Sequence, residues 1–206
     1  EIYAQSLAIN ASDLKLGNNS FKNCKYLSSI RFIDIKNIKI GENAFENCQK
    51  METISINAKS SINISDYCFK DSKNLKNIYF DCEELNLGNY CFNNCKSLSN
   101  ISFFNHIKNI RIFSNILSGC ESFHRFKAEM SSQIIIENHC FSGTTNLETI
   151  ELISNDLMIG SYIFENCKKI SKAILKYKNQ CNIHSDAFKG CNSKFKYEKI
   201  QITNKP

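Results

Sequence analysis

Residues 38–56 read IKIGENAFENCQKMETISI. By residue class this is apolar-x-apolar-Gly-x-x-Ala-Phe-x-x-Cys-x-x-apolar-x-x-Ile-x-Ile. A related line returns about every 24 residues from Leu14 to the C-terminus. The Phe of the Ala-Phe pair marks the register: Phe21, Phe45, Phe69, Phe92, Phe141, Phe164 and Phe188, with Leu117 in the slot between Phe92 and Phe141. Successive marks lie 23 to 25 residues apart. Three residues past each mark stands a small residue: Cys24, Cys48, Ser72, Cys95, Cys120, Thr144, Cys167 or Cys191.

Two short segments in each copy alternate with the period of two that a half-buried strand requires. One follows the mark, as in Ile30/Phe32, Ile54/Ile56 and Ile78/Phe80; the other precedes it, as in Leu14/Leu16, Ile38/Ile40 and Ile62/Ile64. Gly17, Gly41, Gly88 and Gly160 lie between the second segment and the mark. They predict a turn into the Ala-Phe segment, itself predicted as a tight helical turn. A single copy cannot bury its apolar residues, whereas stacked copies lay each Leu, Ile, Phe and Cys on the next. Equivalent strands then pair in parallel at roughly 4.8 Å per copy.

Periods of 20 to 29 residues on a fixed apolar skeleton belong to leucine-rich-repeat solenoids. The predicted fold is such a solenoid, with about eight repeats of 23–25 residues. A parallel β-sheet forms its concave face, with short extended segments and helical turns elsewhere. No linker interrupts the pattern, so 1–206 is expected to form a single domain, with 1–13 a partial first repeat and 14–206 the full repeats. The chain opens at Glu1 inside that partial copy, as a processed form or fragment would.

The net charge is +6, and from Glu165 onward ten Lys face three acids. That excess is expected to solvate the end repeats. With only Arg31, Arg111 and Arg125 as arginines, it does not suggest a nucleic-acid surface. No apolar run approaches the ~18–20 residues that span a bilayer, so this segment is not expected to insert in a membrane. Four Asn-x-Ser sequons, at Asn10, Asn18, Asn63 and Asn100, are what an Asn- and Ser-rich composition produces by chance.

Eleven cysteines invite a disulfide or zinc reading. Register argues otherwise. Six occupy the slot three past the mark; Cys68, Cys91 and Cys140 stand just before it, where Ala44 and Ala187 stand in other copies; and Cys181 replaces a strand Ile or Leu. A free thiol there is a small hydrophobe, and stacking at ~4.8 Å suits a thiol ladder better than disulfide geometry. Cys68, Cys91 and Cys95 could approach one another, but the sequence offers no fourth zinc ligand. Cys82 alone falls outside these slots and is the best candidate for an exposed reactive thiol or a link to another chain.

The unit IGENAFENCQKMETISI resembles the BspA-like, or Treponema-type, leucine-rich repeat. NSFKNCKYLSSIRF, YCFKDSKNLKNIYF, YCFNNCKSLSNISF, HCFSGTTNLETIEL and YIFENCKKISKAIL look like further copies. The resemblance implies a surface or secreted protein of a bacterium or protist parasite, with a role in adhesion. Two departures stand out. The Pro that often follows the Ile-x-Ile strand in bacterial copies is absent, which favours a protist. The fifth copy, FSNILSGCESFHRFKA, has lost the Ala-Phe pair and the Gly, so Phe113 to Met130 is expected to be irregular.

No catalytic constellation is present. His106, His124, His139 and His184 are isolated, and no phosphate loop, nucleophile elbow or zinc signature occurs. The chain is therefore expected to be a non-enzymatic protein-binding module without a cofactor or metal. Variable positions of the post-mark strand should project from the sheet and align between copies. Most are small and polar; the exceptions Arg31, Tyr79, Phe104, Arg125, Lys127 and Glu151 are the candidate protein-binding residues. Of these, Tyr79, Phe104, Arg125 and Lys127 are expected to form one patch. The expected location is the cell surface or outside the cell. Two alternatives are a cytoplasmic scaffold, which free thiols suit, and a structural protein that assembles through open solenoid ends.

Overall fold

The structure, a computed structural model, describes residues 5–104 and 106–203. The first residues of the predicted partial repeat, Glu1 and Ile2, lie outside the described residues. In chain order the strands are β1 Ser6–Asn10, β2 Asp13–Leu16, β3 Ser29–Ile40, β4 Thr53–Ile64, β5 Asn77–Asp81, β6 Glu84–Leu87, β7 Asn100–Phe103, β8 Asn109–Ile112, β9 Arg125–Glu129, β10 Gln133–Ile136, β11 Thr149–Ile159, β12 Lys172–Ile183 and β13 Lys196–Gln201. Every pairing is parallel. The molecule is a parallel β solenoid of about eight turns, as the period requires.

Each turn carries two strand segments and so contributes to two ladders. The first ladder holds the post-mark segments and runs β1–β3–β4–β5–β7, then β9–β11–β12–β13. The second holds the pre-mark segments and runs without a break from β2 through β3, β4, β6, β8, β10 and β11 to β12. In β3, β4, β11 and β12 the two segments join into one bent strand, with register shifts at the bend of β3 and β11. Alternate side chains point inward, as their burial shows, and the buried residues form one continuous cluster from Leu27 to Ala187. Each fully buried aliphatic or Phe contributes about 1.5–3 kcal/mol, so the stacked slots alone supply the driving force.

The marks stack face to face: Phe21, Phe45, Phe69 and Phe92 lie 5.0, 5.3 and 5.5 Å apart between ring centroids. The stack stops at Leu117 and resumes from Phe141 through Phe164 to Phe188 at 5.7 and 6.0 Å. In the gap Phe126 leans across to Phe141, 5.0 Å away.

Two sequence expectations need correction, and the glycines that mark the turn are required for a different reason. The Ala-Phe segment is not helical; the described residues contain no helix. Residues two before and two after the mark have positive φ, for example Asn43 at 54° and Asn47 at 58°, and left-handed residues at that spacing prevent a helix. Main-chain donors there reach the next copy instead: Phe21 N to Ala44 O at 2.7 Å, Phe45 N to Cys68 O at 2.8 Å, Phe69 N to Cys91 O at 2.9 Å. Gly41, Gly88 and Gly160, in turn, are not needed for a positive φ. A Cβ on Gly41 would lie 2.6 Å from Asn18 N and 2.7 Å from Gly17 C, and Gly88 and Gly160 are as tightly placed. They let one copy's main chain approach the next.

The second correction concerns Cys82, which is fully buried. It stands at the corner where the chain turns from the first ladder to the second. Ile35, Ala58, Ile107 and Met130 fill the same corner in other copies, all buried. Burial pushes its thiol up to about 12, the opposite of a reactive cysteine.

Candidate interaction surface

The outward side chains of the first ladder align in rows fixed by strand register. One row reads Arg31, Ser55, Tyr79, Ser102 on β3, β4, β5 and β7, then Lys127, Glu151, Ile174 and Glu198 on β9, β11, β12 and β13. Its neighbour reads Ser29, Thr53, Asn77, Asn100, then Arg125, Thr149, Lys172 and Lys196. The β3-to-β7 half is mild, with small polar side chains around Arg31 and Tyr79. The β9-to-β13 half is dense in charge.

Arg31 is exposed, and Tyr79 is half-buried between Ser55 and Ser102. Phe104 follows β7 and extends its pairing by one bond, Phe104 N to Phe80 O at 3.1 Å. Its ring is 50% exposed, far more than a solenoid needs at a position next to the core. His106 Nε2 contacts Asp81, which also accepts from Asn57 Nδ2 at 2.6 Å. Among the described residues no ion pair holds Arg31 or Arg125.

Lys127, Glu151 and Lys176 form a charge network across β9, β11 and β12. Lys176 Nζ lies 2.8 Å from Glu151, and Lys127 Nζ lies 3.6 Å from Glu151 and 3.8 Å from Glu129. The hydrogen bond from Lys176, supported by the charge of Lys127, holds the Glu151 carboxyl below its ordinary value. The six predicted residues thus share one face in two groups. Arg31, Tyr79 and Phe104 belong to the β1-to-β7 half, and Arg125, Lys127 and Glu151 to the β9-to-β13 half. Register places Ser102 between Tyr79 and the charged group, so Tyr79 is not adjacent to Arg125 or Lys127.

One recurring feature escaped the sequence reading. The residue two before the mark has positive φ in the first seven copies: Asn19, Asn43, Tyr67, Tyr90, Asn115, His139 and Tyr162. Asn tolerates this region; Tyr rarely does. The tyrosines offset the strain in stacked pairs: Tyr67 on Tyr90 at 5.2 Å and His139 on Tyr162 at 5.3 Å. Lys70 lies over Tyr67 and Lys189 over Tyr162. The recurrence of Tyr or His where other copies place Asn was the available signal.

The small-residue slot three past the mark also has a more specific chemistry than size. Cys48, Cys95, Cys120 and Cys167 each donate S–H to the mark carbonyl of the preceding copy, at 2.9–3.1 Å. Ser72 and Thr144 donate O–H to the same acceptor at 2.9 and 3.1 Å. The slot selects a short hydrogen-bond donor, which is why Cys, Ser and Thr interchange there. All eleven cysteines are free thiols, and nine are buried.

The histidines are held by ordinary partners. His124 meets Ser122 O, His139 meets Glu165, and His184 accepts from Asp186 N. Among the described residues no group of three His, Cys, Asp or Glu is placed to hold a metal ion. A shallow hollow of about 900 Å³ lies on the second-ladder side, with Ile135, Met158 and Tyr197 in its wall. Of its two cations, Arg111 is bonded to Glu137 at 2.6 Å and Lys199 donates to Cys181 O at 2.9 Å. Among the described residues no helix is long and apolar enough to cross a membrane.

The family model for the BspA type leucine rich repeat region matches six copies, over residues 3–112 and 110–205. Two solved structures share the fold. A leucine-rich repeat protein from Bacteroides ovatus has 18% identity and a TM-score of 0.59; the alignment covers 91% of this chain and 57% of that one. The Treponema pallidum leucine-rich repeat protein has 19% identity and a TM-score of 0.61, covering 81% of this chain and 79% of that one. The chain thus spans little more than half the length of the Bacteroides protein. No curated protein sequence matches it.

Proposed function

The chain belongs to the BspA-type leucine-rich-repeat family, and on that premise we propose that it is a non-enzymatic adhesion module, exposed at a cell surface or secreted, whose first-ladder face holds a protein partner. One observation carries the reading. An exposed aromatic ring, Phe104, follows β7 on this face, and two cations of its outward rows, Arg31 and Arg125, have no ion-pair partner among the described residues. Stacking needs none of the three. Exposed rings and arginines on a rigid scaffold are the residue types that dominate protein interfaces. The unbroken cluster of buried residues supports treating the repeats as one domain.

The test is binding of the purified chain to a panel of immobilised extracellular-matrix proteins. It is run beside the variant Arg31→Ala, Phe104→Ala, Arg125→Ala, with circular dichroism as the check on folding. Binding that falls at least tenfold in the folded variant supports the face. Equal binding by both proteins removes it. Labelling intact cells with a membrane-impermeant reagent tests the location, and an unlabelled protein beside a labelled surface marker removes adhesion. Nine buried free thiols favour a second reading, an intracellular scaffold that uses the same face.

A further inference from the structure

The copy marked by Phe188 breaks the pattern at every apolar slot of its strand. Six, nine and eleven residues past the mark, the seven copies before it place apolar residues, from Leu27, Ile30 and Phe32 to Ile170, Ala173 and Leu175. This copy places Lys194, Tyr197 and Lys199 there. The slot seven past the mark is polar in those seven copies, as at Ser28, Glu52 and Ser171, and holds Phe195 in this one. Pairing keeps its register through the exchange. Tyr197 lies opposite Ala173 and Lys199 opposite Leu175, so both stand in the inward columns of the first ladder. Ile200, exposed beside them, lies opposite Lys176 in an outward row.

These side chains fold over the end of the stack. Tyr197 meets the Phe188 ring at 4.6 Å and Phe195 meets it at 5.1 Å, while Phe195 also reaches Phe164 at 5.7 Å. Lys199 crosses to the second ladder. Its Nζ donates to Cys181 O at 2.9 Å and lies over the Tyr177 ring. That carbonyl belongs to the edge of β12 that faces away from β11. Every second residue of a paired strand turns its main-chain groups to the same edge. Ile183, two residues on, lies opposite Ile159, whose carbonyl accepts from the following copy, His184 N to Ile159 O at 2.9 Å. Lys199 therefore takes an acceptor by which another rung would pair.

We propose that this copy is a built stop, which closes the apolar stack so that no apolar repeat, least of all the N-terminal end of a second copy of this chain, stacks on β13. A rung laid there would bury the ammonium groups of Lys194 and Lys199 at slots that elsewhere hold apolar side chains, and would take Lys199 from Cys181 O. A buried charge without a partner is among the costliest groups in a protein. Inward-pointing charge, Lys especially, is how natural sheets blunt an edge, and a solenoid end needs a polar outer face. The opposite end is the surface that this stop refuses. There Leu7 and Ile9 lie opposite Ile30 and Phe32 and keep the apolar slot types, half-buried, beside Phe21. Assembly through β13 is thereby blocked, and partners are left to the faces of the solenoid. The stop does not rest on the adhesion reading.

The test needs no partner, so its failure is separable from failure of the adhesion reading. The full chain is sedimented over a hundredfold range of concentration beside the variant Lys194→Leu, Tyr197→Ile, Lys199→Leu, which restores the common slot residues, with circular dichroism as the check on folding. The native chain should keep the mass of a monomer throughout, whereas the average mass of the folded variant should at least double across the range. Association of the native chain that is lost on masking its C-terminal end with a fused globular protein overturns the stop. A folded variant that stays monomeric overturns the assignment to these three residues. If the variant does not fold, hydrogen exchange of the native chain decides. The amides of Lys196 and Ile202, which bond to Ser171 O and Tyr177 O, should exchange at least a hundredfold more slowly than in an unstructured chain, because the stop packs on β12. Exchange at the unstructured rate overturns it.

Discussion

Gly17 and Gly41 occupy the same slot of successive repeats, and replacing each with Ala should have opposite effects. If the slot requires a glycine backbone, both changes damage the protein alike. The geometry says otherwise. A Cβ on Gly41 would stand 2.6 Å from both the N and the Oδ1 of Asn18 and 2.7 Å from Gly17 C. Two of those three atoms are main chain and cannot turn aside. Overpacking of this kind costs about 1–3 kcal/mol. Asn18 Oδ1 also accepts from Glu42 N at 3.0 Å, and losing that bond adds about 1 kcal/mol. The expected cost of Gly41→Ala is therefore about 3 kcal/mol. A Cβ on Gly17 meets only Ser20 Oγ, at 3.7 Å. With no positive φ to forbid Ala, Gly17→Ala should be neutral or stabilise by about 0.4–1 kcal/mol through the unfolded chain. In urea, with a slope of about 2 kcal/mol per molar, the two midpoints should differ by about 1.5–2 M, read by circular dichroism. Midpoints within 0.3 M of one another, at about that slope, would refute the claim that close approach of copies, not turn geometry, selects glycine here.

Three further outcomes follow from the same contacts. Ser72→Ala should cost about 2 kcal/mol, because the buried hydroxyl accepts from Cys48 N at 3.1 Å and donates to Phe45 O at 2.9 Å. Ser72→Cys should restore most of that in the same urea titration, and equal midpoints for the two variants would contradict the donor requirement. Alkylation at pH 8 should modify at most Cys24 and Cys191 while the chain is folded, as read by mass spectrometry. Burial pushes Cys48, Cys82 and Cys167 from 9.0 up to about 12, which lowers their thiolate fraction about a thousandfold. Modification of Cys82 as fast as Cys24 would count against this. Lys176→Met should move the Glu151 titration upward toward 4.5, measured by carboxyl NMR. A lowered folded pKa contributes stability above the unfolded value that is lost as pH falls through the folded one. The variant's stability deficit should therefore shrink as pH falls below 4.5, and an unmoved titration would show that Lys176 is not the cause.

Most of the scaffold was legible because the solenoid repeats one local problem. Phe45, Ile54 and Ile56 recur because each must lie on its equivalent in the next copy. A period in sequence is then a stack in space. The candidate surface was legible only as identities. Arg31, Tyr79, Phe104, Arg125, Lys127 and Glu151 stood out against small polar neighbours, but their division into two groups depends on pairing at β7 and β9. Cys82 was misread because the corner slot has no fixed distance from the mark. Ile35, Ala58, Cys82, Ile107 and Met130 are all apolar and buried, but they lie 13 to 15 residues past it. The Ala-Phe segment was misread because its spacing is compatible with a helical turn, whereas its left-handed Asn residues turn main-chain donors toward the neighbouring copy.

By itself, then, the sequence determined that the chain is a parallel solenoid of about 24-residue copies, because burial by stacking forces the period to appear in the residues themselves. Only the tertiary structure decided which contacts each slot makes. It decided that the small slot is a donor to the preceding copy, that Gly41 serves close approach, that Cys82 is core, and that the first ladder is interrupted between β7 and β9 while β8 and β10 stay paired. Those depend on distances between residues some 24 positions apart, set by how two neighbouring copies fit together.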